Sequence, residues 1–391
     1  MVVGLEQNSM NICFISKEYP PETGWGGIGT YIYNIAHALV NLGHRVDIIS
    51  QTIQFEKDYE DNGVYVHRIK LFNGLLIKRI AYYYQILKKI KSIDCKFDII
   101  EIPEWGAEGF PLIFLKKSYR LVTRLHTPLF LARKISHQRI GLIDKGIDFL
   151  EKEQTKHSHG ITSPTKALAN IVATKWNIPL PRIKIIPNGI DLKNIKSISS
   201  NVKKPEIDEY ITYIGRLQPL KGLHILARSL LAVFKQYPNL KIVFIGQDTK
   251  YGNSTMKEYI LDINKQYKKN LIFTGFLTGK EKYSWIKYSK FVVLPSLWES
   301  FGYTCLESMA IGKAVIATKN SGFEEIIEDN KSGFLVEPGN SESLKEKIIY
   351  CLNNNDVAEL VGKKAMKRAE EFNIENIART TINYYKELLR S

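Results

Sequence analysis

Two glutamates, Glu299 and Glu307, stand with seven residues between them in the run Pro295-Ser296-Leu297-Trp298-Glu299-Ser300-Phe301-Gly302-Tyr303-Thr304-Cys305-Leu306-Glu307. Ionised carboxylates accept paired hydrogen bonds from vicinal hydroxyls, as sugars and ribose offer. The apolar residues before Pro295 read as a strand that delivers Glu299 to a loop. A helix from near Phe301 or Gly302 then carries Glu307 on its early turns. N–H groups at that helix start are donors for sugar oxygens or phosphate. Two surface glutamates favoured by a helix dipole would have the same spacing, so the pair needs its context.

Two other loops supply that context. Gly215-Arg216-Leu217-Gln218-Pro219-Leu220-Lys221-Gly222 sets two cations five residues apart between a strand and a helix. That arrangement suits a diphosphate, with exposed loop charges as the plainer alternative. Near the start, Trp25-Gly26-Gly27-Ile28-Gly29-Thr30-Tyr31 follows a first strand and opens a helix. Glycines there let backbone N–H groups approach an anion. Ile32 occupies the place of the third glycine of a dinucleotide fingerprint, which is therefore incomplete.

The elements that must position these loops alternate. Short apolar runs at 11–16, 46–50, 98–102, 120–125 and 159–163 read as strands, with a helical spacing over 31–42 that stops at Gly43. Residues 190–210 are polar and aperiodic and read as a linker. The alternation restarts at 210–214, a helix from about Gly222, 241–245, 271–274, 291–294 and 314–317. After Ser341 the chain reads as helical to its end, with a break at Phe372-Asn373. Strands separated by such helices make parallel sheets buried on both faces. The expectation is an α/β protein with two Rossmann-like, doubly wound domains, whose ligands bind at the carboxyl ends of the strands.

Bulk properties narrow the class. The 391 residues suggest about two domains, and 44% hydrophobic content argues for packed cores. No apolar run approaches the roughly 20 residues of a membrane span. Residues 1–10 lack the features of a signal peptide. The four cysteines are scattered without a CxxC pair, which argues against a zinc site or a disulfide framework and fits a reducing cytoplasm. The net charge of +15 gathers in two acid-free stretches, from Arg68 to Lys91 and over residues 110–143. An anionic membrane surface, an anionic acceptor and a solvated face all account for them, and no motif supports nucleic acid. Residues 72–93 are expected to form an amphipathic helix at a membrane interface.

Taken together, the chain resembles glycosyltransferase family 4, whose E-x7-E motif is matched by Glu299 and Glu307. The GGIG loop, Leu125-His126-Thr127, Pro187-Asn188-Gly189-Ile190-Asp191 and GRLQPLKG occur in family order, and the likeness runs from the first strand to at least Gly339. It implies the GT-B fold, with two Rossmann-like domains facing a cleft. Residues 1–190 would bind the acceptor, with a C-terminal helix at about 374–391 packing back on them, and 191–373 would bind the donor. It also implies a retaining transfer from a UDP- or GDP-linked sugar to a glycan or lipid-linked acceptor of the cell surface, in the cytoplasm or at the inner face of the membrane.

Residue roles follow from the same resemblance. Glu307 would hold the donor ribose. Glu299 would bind the transferred sugar, helped by backbone N–H groups at Phe301 and Gly302. Arg216 and Lys221 would bind the diphosphate and stabilise its departure. Gly27 and Gly29 would approach the same phosphates, and His126 would contact the donor sugar. Thr127 stands where many relatives have an acid, and Gly246-Gln247-Asp248 lacks the second glycine of a common turn. No cofactor or metal is expected, and the chain has no DxD motif. A sugar-nucleotide epimerase or hydrolase would release or rearrange donor without acceptor. A non-catalytic binding protein would bind donor without turnover.

Overall fold

The computed structural model describes residues 9–391 except positions 25, 53, 71–74, 116–117 and 137, and for 75–78 only the backbone. Trp25, the beginning of the 72–93 segment, and, within the two basic stretches, the Lys78 side chain, Lys116 and Lys117 lie outside what is described. The chain divides into unit 1, residues 1–189 with 374–391, and unit 2, residues 190–373.

Unit 1 is built on β1 (Asn11–Ile15), β2 (Arg45–Thr52), β3 (Lys57–Asp61), β4 (Val64–Lys70), β5 (Ile99–Pro103), β6 (Arg120–Arg124), β7 (Gly160–Ser163) and β8 (Ile183–Ile185). Their order in the sheet is β3-β4-β2-β1-β5-β6-β7-β8. All neighbours are parallel except β3 and β4, an antiparallel hairpin. Asn62 and Gly63, at φ 48° and 88°, make its turn, the Asn-Gly signature of a two-residue hairpin. Helices α1 (Gly27–Asn41), α2 (Leu75–Ser92), α3 (Leu129–Ile135), α4 (Leu142–Lys156) and α5 (Lys166–Trp176) connect the strands.

Unit 2 begins with α6 (Leu192–Ser200) and continues with β9 (Tyr210–Ile214), α7 (Leu223–Gln236), β10 (Lys241–Ile245), the short hairpin of β11 (Lys250–Tyr251) and β12 (Ser254–Thr255), and α8 (Met256–Ile263). It goes on through β13 (Leu271–Gly275), α9 (Gly279–Tyr288), β14 (Val292–Leu294), α10 (Tyr303–Ala310), β15 (Val315–Thr318), α11 (Phe323–Ile326), β16 (Phe334–Val336), α12 (Ser341–Asn353) and α13 (Asn355–Ala369). The main sheet has order β13-β10-β9-β14-β15-β16, parallel throughout. Its strands alternate between two cores, as a period-2 sheet requires. Ile242 and Phe244 join one core, and Val243 and Ile245 the other. The last helix, α14 (Ile374–Arg390), belongs to unit 1, where the Tyr385 hydroxyl donates to buried Glu101 at 2.7 Å.

Three expectations need correction. The 190–210 stretch is not a plain linker, because it contains α6. Asp191 caps that helix by accepting from the Asn194 N–H at 2.9 Å, and Leu192 and Ile195 are buried one turn apart. The basic stretch starting at Arg68 is not all surface. Arg68 is fully buried in β4, where its guanidinium donates to the Tyr19, Pro20 and Gln51 carbonyls and to the Ser50, Thr23 and Tyr59 hydroxyls. Arg124 is buried too. Finally, α2 is apolar on both faces rather than one, since Tyr82 and Ile86 lie in unit 1's core while Ile80 and Tyr84 are exposed.

Candidate functional site

In unit 2 the expected residues gather at the carboxyl ends of β9 and β14. Beyond β9 the chain runs beside the segment leaving β10, with Gly215 N–H donating to Ile245 O at 2.9 Å and Leu217 N–H to Gln247 O at 2.8 Å. Leu217 and Asp248 extend that pairing, so the departure from the Gly-x-Gly turn still leaves an ordered loop. Pro219–Lys221 form a single 3-10 turn, closed by Gly222 at φ 69°. A side chain at Gly222 would put its Cβ 1.8 Å from Pro295 O. Only glycine permits that contact, which presses the β9 loop onto the β14 loop, where Leu297 N–H donates to Leu220 O at 2.9 Å.

This approach joins residues 78 positions apart. The Lys221 ammonium forms an ion pair with Glu299, whose Oε1 also accepts from Ser296 Oγ at 3.0 Å. Both partners are largely covered yet reach solvent. Arg216 is exposed, and its guanidinium makes no hydrogen bond or ion pair among the described residues. Charge-assisted bonds to phosphate are stronger than neutral ones. The loop after β9 thus carries one exposed cation, Arg216, and one cation, Lys221, shared with Glu299.

After Glu299, Phe301 turns its ring into the core against Phe372 and Tyr303. Its side chain is thus unavailable to a ligand. The N–H groups of Phe301 and Gly302, however, have no acceptor among the described residues. Gly302 sits at φ 115°, and a Cβ there would lie 2.5 Å from the Phe323 ring. Helix α10 starts at the next residue and carries Glu307. Both carboxylate oxygens of Glu307 accept from Lys282 Nζ, at 2.9 and 3.0 Å. Tyr283, next to Lys282 on α9, also bonds Glu307, and burial together with that carboxylate pushes its phenol well up. Lys282 was not singled out in the sequence, since nothing in Gly279-Lys280-Glu281-Lys282 distinguishes one lysine from another.

The expected residues of unit 1 have a different setting. Gly27 and Gly29 lie in the first turn of α1 rather than before it. The Gly29 N–H donates to Glu18 Oε2 at 3.2 Å, so an internal carboxylate already faces the helix start. A Cβ at Gly29 would lie 2.4 Å from Gly24 O, whereas one at Gly27 meets nothing within 4 Å. Packing thus explains the first glycine and not the second.

His126 follows β6 and is buried. Its backbone N–H is held by both oxygens of Glu104, each at 2.8 Å. Its ring stands edge-on to Tyr31 at 5.5 Å. Burial, with Arg124 close by, drives the imidazole pKa well down, so the ring is neutral. Arg124 itself donates to Ile186 O and Asn188 Oδ1 and lies 4.5 Å over the Tyr31 ring.

Sequence reasoning also missed three buried glutamates that organise these loops. Glu104 receives the His126 N–H, Glu108 the Lys17 N–H at 2.8 Å, and Glu151 those of Gly106 and Leu129 at 2.8 and 2.9 Å. Burial raises their carboxyl pKa values, to about 8 for Glu104, where Glu151 adds repulsion, and to about 7 for the other two. Among the described residues no three His, Cys, Asp or Glu side chains group to hold a metal ion.

Known proteins resemble this chain over nearly its whole length. Residues 25–194 match the family described as Glycosyltransferase Family 4, and residues 194–368 match Glycosyl transferases group 1. An uncharacterised glycosyltransferase of Methanocaldococcus jannaschii is 27% identical, covering 96% of this chain and 98% of the relative. The O-antigen chain mannosyltransferase C of Escherichia coli is 24% identical, over 98% and 100%. Among solved structures, sucrose-phosphate synthase from Thermosynechococcus elongatus superposes with a TM-score of 0.82 at 20% identity, covering 97% of this chain and 99% of that one. The likeness establishes a GT-B fold of two parallel-sheet α/β units.

Proposed function

Since the chain belongs to glycosyltransferase family 4, we propose that it is a retaining hexosyltransferase using a UDP- or GDP-linked sugar and a glycan or lipid-linked acceptor of the cell surface. The observation that carries the reading is the pairing of Lys221 with Glu299 across two adjacent strand ends of unit 2, with Arg216 exposed on the same loop as Lys221. The relation to an O-antigen mannosyltransferase supports a cell-surface glycan as product. In this reading unit 2 takes the donor. Arg216 and Lys221 bind the diphosphate, the Phe301 and Gly302 N–H groups and Glu299 bind sugar oxygens, and Glu307 accepts from the ribose diol. Unit 1 takes the acceptor, and His126, neutral and fixed by Glu104, supplies a hydrogen-bonding ring. Gly27 leaves room for a close backbone approach at the start of α1.

The proposed reaction is a same-face substitution. The bond between the anomeric carbon and the diphosphate oxygen breaks, and the acceptor oxygen bonds to that carbon. The acceptor proton passes to the departing diphosphate. Negative charge develops on the diphosphate, so catalysis rests on positioning and on the two cations. We place the enzyme in the cytoplasm, at the inner face of the membrane. No helix among the described residues is long and apolar enough to cross a membrane.

The test is a panel of UDP-, GDP- and ADP-sugars with nucleoside diphosphate release followed in wild type, Glu307→Ala and Lys221→Ala. We expect release from one donor, lost in Glu307→Ala and lowered about 10²-fold or more in Lys221→Ala, the scale of one charge-stabilising donor. Wild-type turnover in Lys221→Ala would remove the leaving-group role. Absence of both turnover and diphosphate binding would overturn the reading.

A further inference from the structure

Helix α4 is amphipathic in the inverse sense. Its buried residues are Glu151, Gln154 and Thr155. The first two grip loop backbone: Glu151 takes the Gly106 and Leu129 N–H groups, and Gln154 accepts from Gly109 N–H and donates to Pro103 O at 2.9 Å. The opposite face carries Leu142 and Phe149, 86% and 57% exposed, with Gly146 between them at i+4 and open space around it. Ile143, 63% exposed, widens the stripe. Phe114, 72% exposed, belongs to the short turn Phe110–Phe114 that packs against the same helix. A monomeric soluble protein rarely gathers large apolar side chains in this way without a partner.

The charge around the stripe says which partner. Lys134, Arg139 and Lys145 are exposed, and none is in an ion pair among the described residues. The neighbouring acids are engaged: Asp144 with Arg133 at 3.1 Å, Asp148 with the Trp176 indole N–H at 2.9 Å, and Glu153 with His157. Apolar side chains that enter the acyl boundary, ringed by free cations, fit the surface of an anionic bilayer. We propose that the first two turns of α4 form an insertion surface for an anionic membrane. The α2 segment, whose Tyr82 and Ile86 are buried in the core, keeps Ile80 and Tyr84 exposed on its other face. The inward face of α4 holds the loops after β5 and β6, so docking would set the candidate acceptor loops near the lipid headgroups. The inference deepens the membrane part of the proposed function and is independent of the donor chemistry.

The test uses the full chain and vesicles of phosphatidylcholine with or without phosphatidylglycerol. Co-sedimentation is measured for wild type, L142D/F149D and K134Q/R139Q/K145Q, with thermal melting as the folding control. All the substituted side chains are on the surface, and unchanged melting is expected. Wild type should prefer the anionic vesicles, L142D/F149D should bind at least 10-fold more weakly, and the triple variant should lose the salt dependence. Equal binding by wild type and L142D/F149D would overturn the surface. Absence of binding by wild type would overturn it too, while donor-dependent diphosphate release in the same preparation would leave the transferase reading standing. A dimer in solution that L142D/F149D dissociates, without vesicle binding, would give the stripe to a second copy of the chain and overturn the lipid.

Discussion

At the scale of single residues, each carboxylate of the E-x7-E pair is neutralised by a lysine, Glu299 by Lys221 and Glu307 by Lys282. Under the proposed function, an arriving ligand would exchange an internal charge contact for an external one, so that neither carboxylate is left unpaired beforehand. Glu299, Glu307, Arg216 and Lys221 stood out because their side-chain types and spacing suit hydroxyls and phosphates, and the structure pairs Lys221 with Glu299 across two adjacent strand ends. Lys282 and Glu104 were not, because each acquires its partner, 25 and 22 residues away, only through the packing of other elements. Glu104 yields a pH prediction. Its carboxyl titrates at about 8 in the folded chain against 4.5 for the ordinary group. Between those values the folded state holds a proton that the unfolded state has released, so stability falls as pH rises through the window. Urea unfolding between pH 5 and 8.5 should show a flatter dependence for Glu104→Gln than for wild type. Parallel slopes would place the titration elsewhere.

At the scale of elements, the long apolar strands were readable from composition, because a strand buried on both faces is apolar at nearly every position. The three-residue β8 and β16 escaped, as did β4, which mixes His67, Arg68 and Lys70 with its valines, and β3, which is largely exposed and charged. Helix α6 escaped because its two buried apolar positions, Leu192 and Ile195, are set among lysine, asparagine and serine. The loops between elements are where the site forms, and Gly302 shows how tightly they are held. Gly302→Ala would force a side chain into a left-handed backbone and into the Phe323 ring. We expect a loss of about 1–3 kcal/mol, read as an earlier denaturant midpoint for unit 2. A midpoint within error of wild type would show that the start of α10 relaxes freely.

At the scale of the whole molecule, the chain leaves unit 1 after residue 189 and re-enters it at residue 374. Helix α14 therefore completes a core that begins more than 350 residues earlier in the chain, and one bond marks its docking. The Tyr385 hydroxyl donates to Glu101, which also accepts from Tyr31 at 2.7 Å, and the carboxyl of Glu101 is pushed up by burial. Tyr385→Phe leaves one oxygen of a fully buried carboxylate without its donor, at a cost of about 1–3 kcal/mol. Chemical denaturation should show this loss in the transition of unit 1 and leave that of unit 2 in place. A uniform shift of both would mean that the two units unfold together. Net charge also changes meaning at this scale: of the +15, Arg68 and Arg124 lie inside unit 1 and present nothing to a partner.

Periodicity and composition along the chain settled the α/β class, two sheets of mainly parallel strands and the identity of the side chains at the ends of β9 and β14. Those depend on patterns within a few residues, where backbone periodicity and side-chain chemistry act directly. Tertiary structure alone decided which lysine answers which glutamate, that Arg68 is interior, that α14 closes unit 1, and that α4 turns its polar face inward and its apolar face out. Each of these is a contact between segments distant in the chain, selected by how buried polar groups find partners once the sheets have formed.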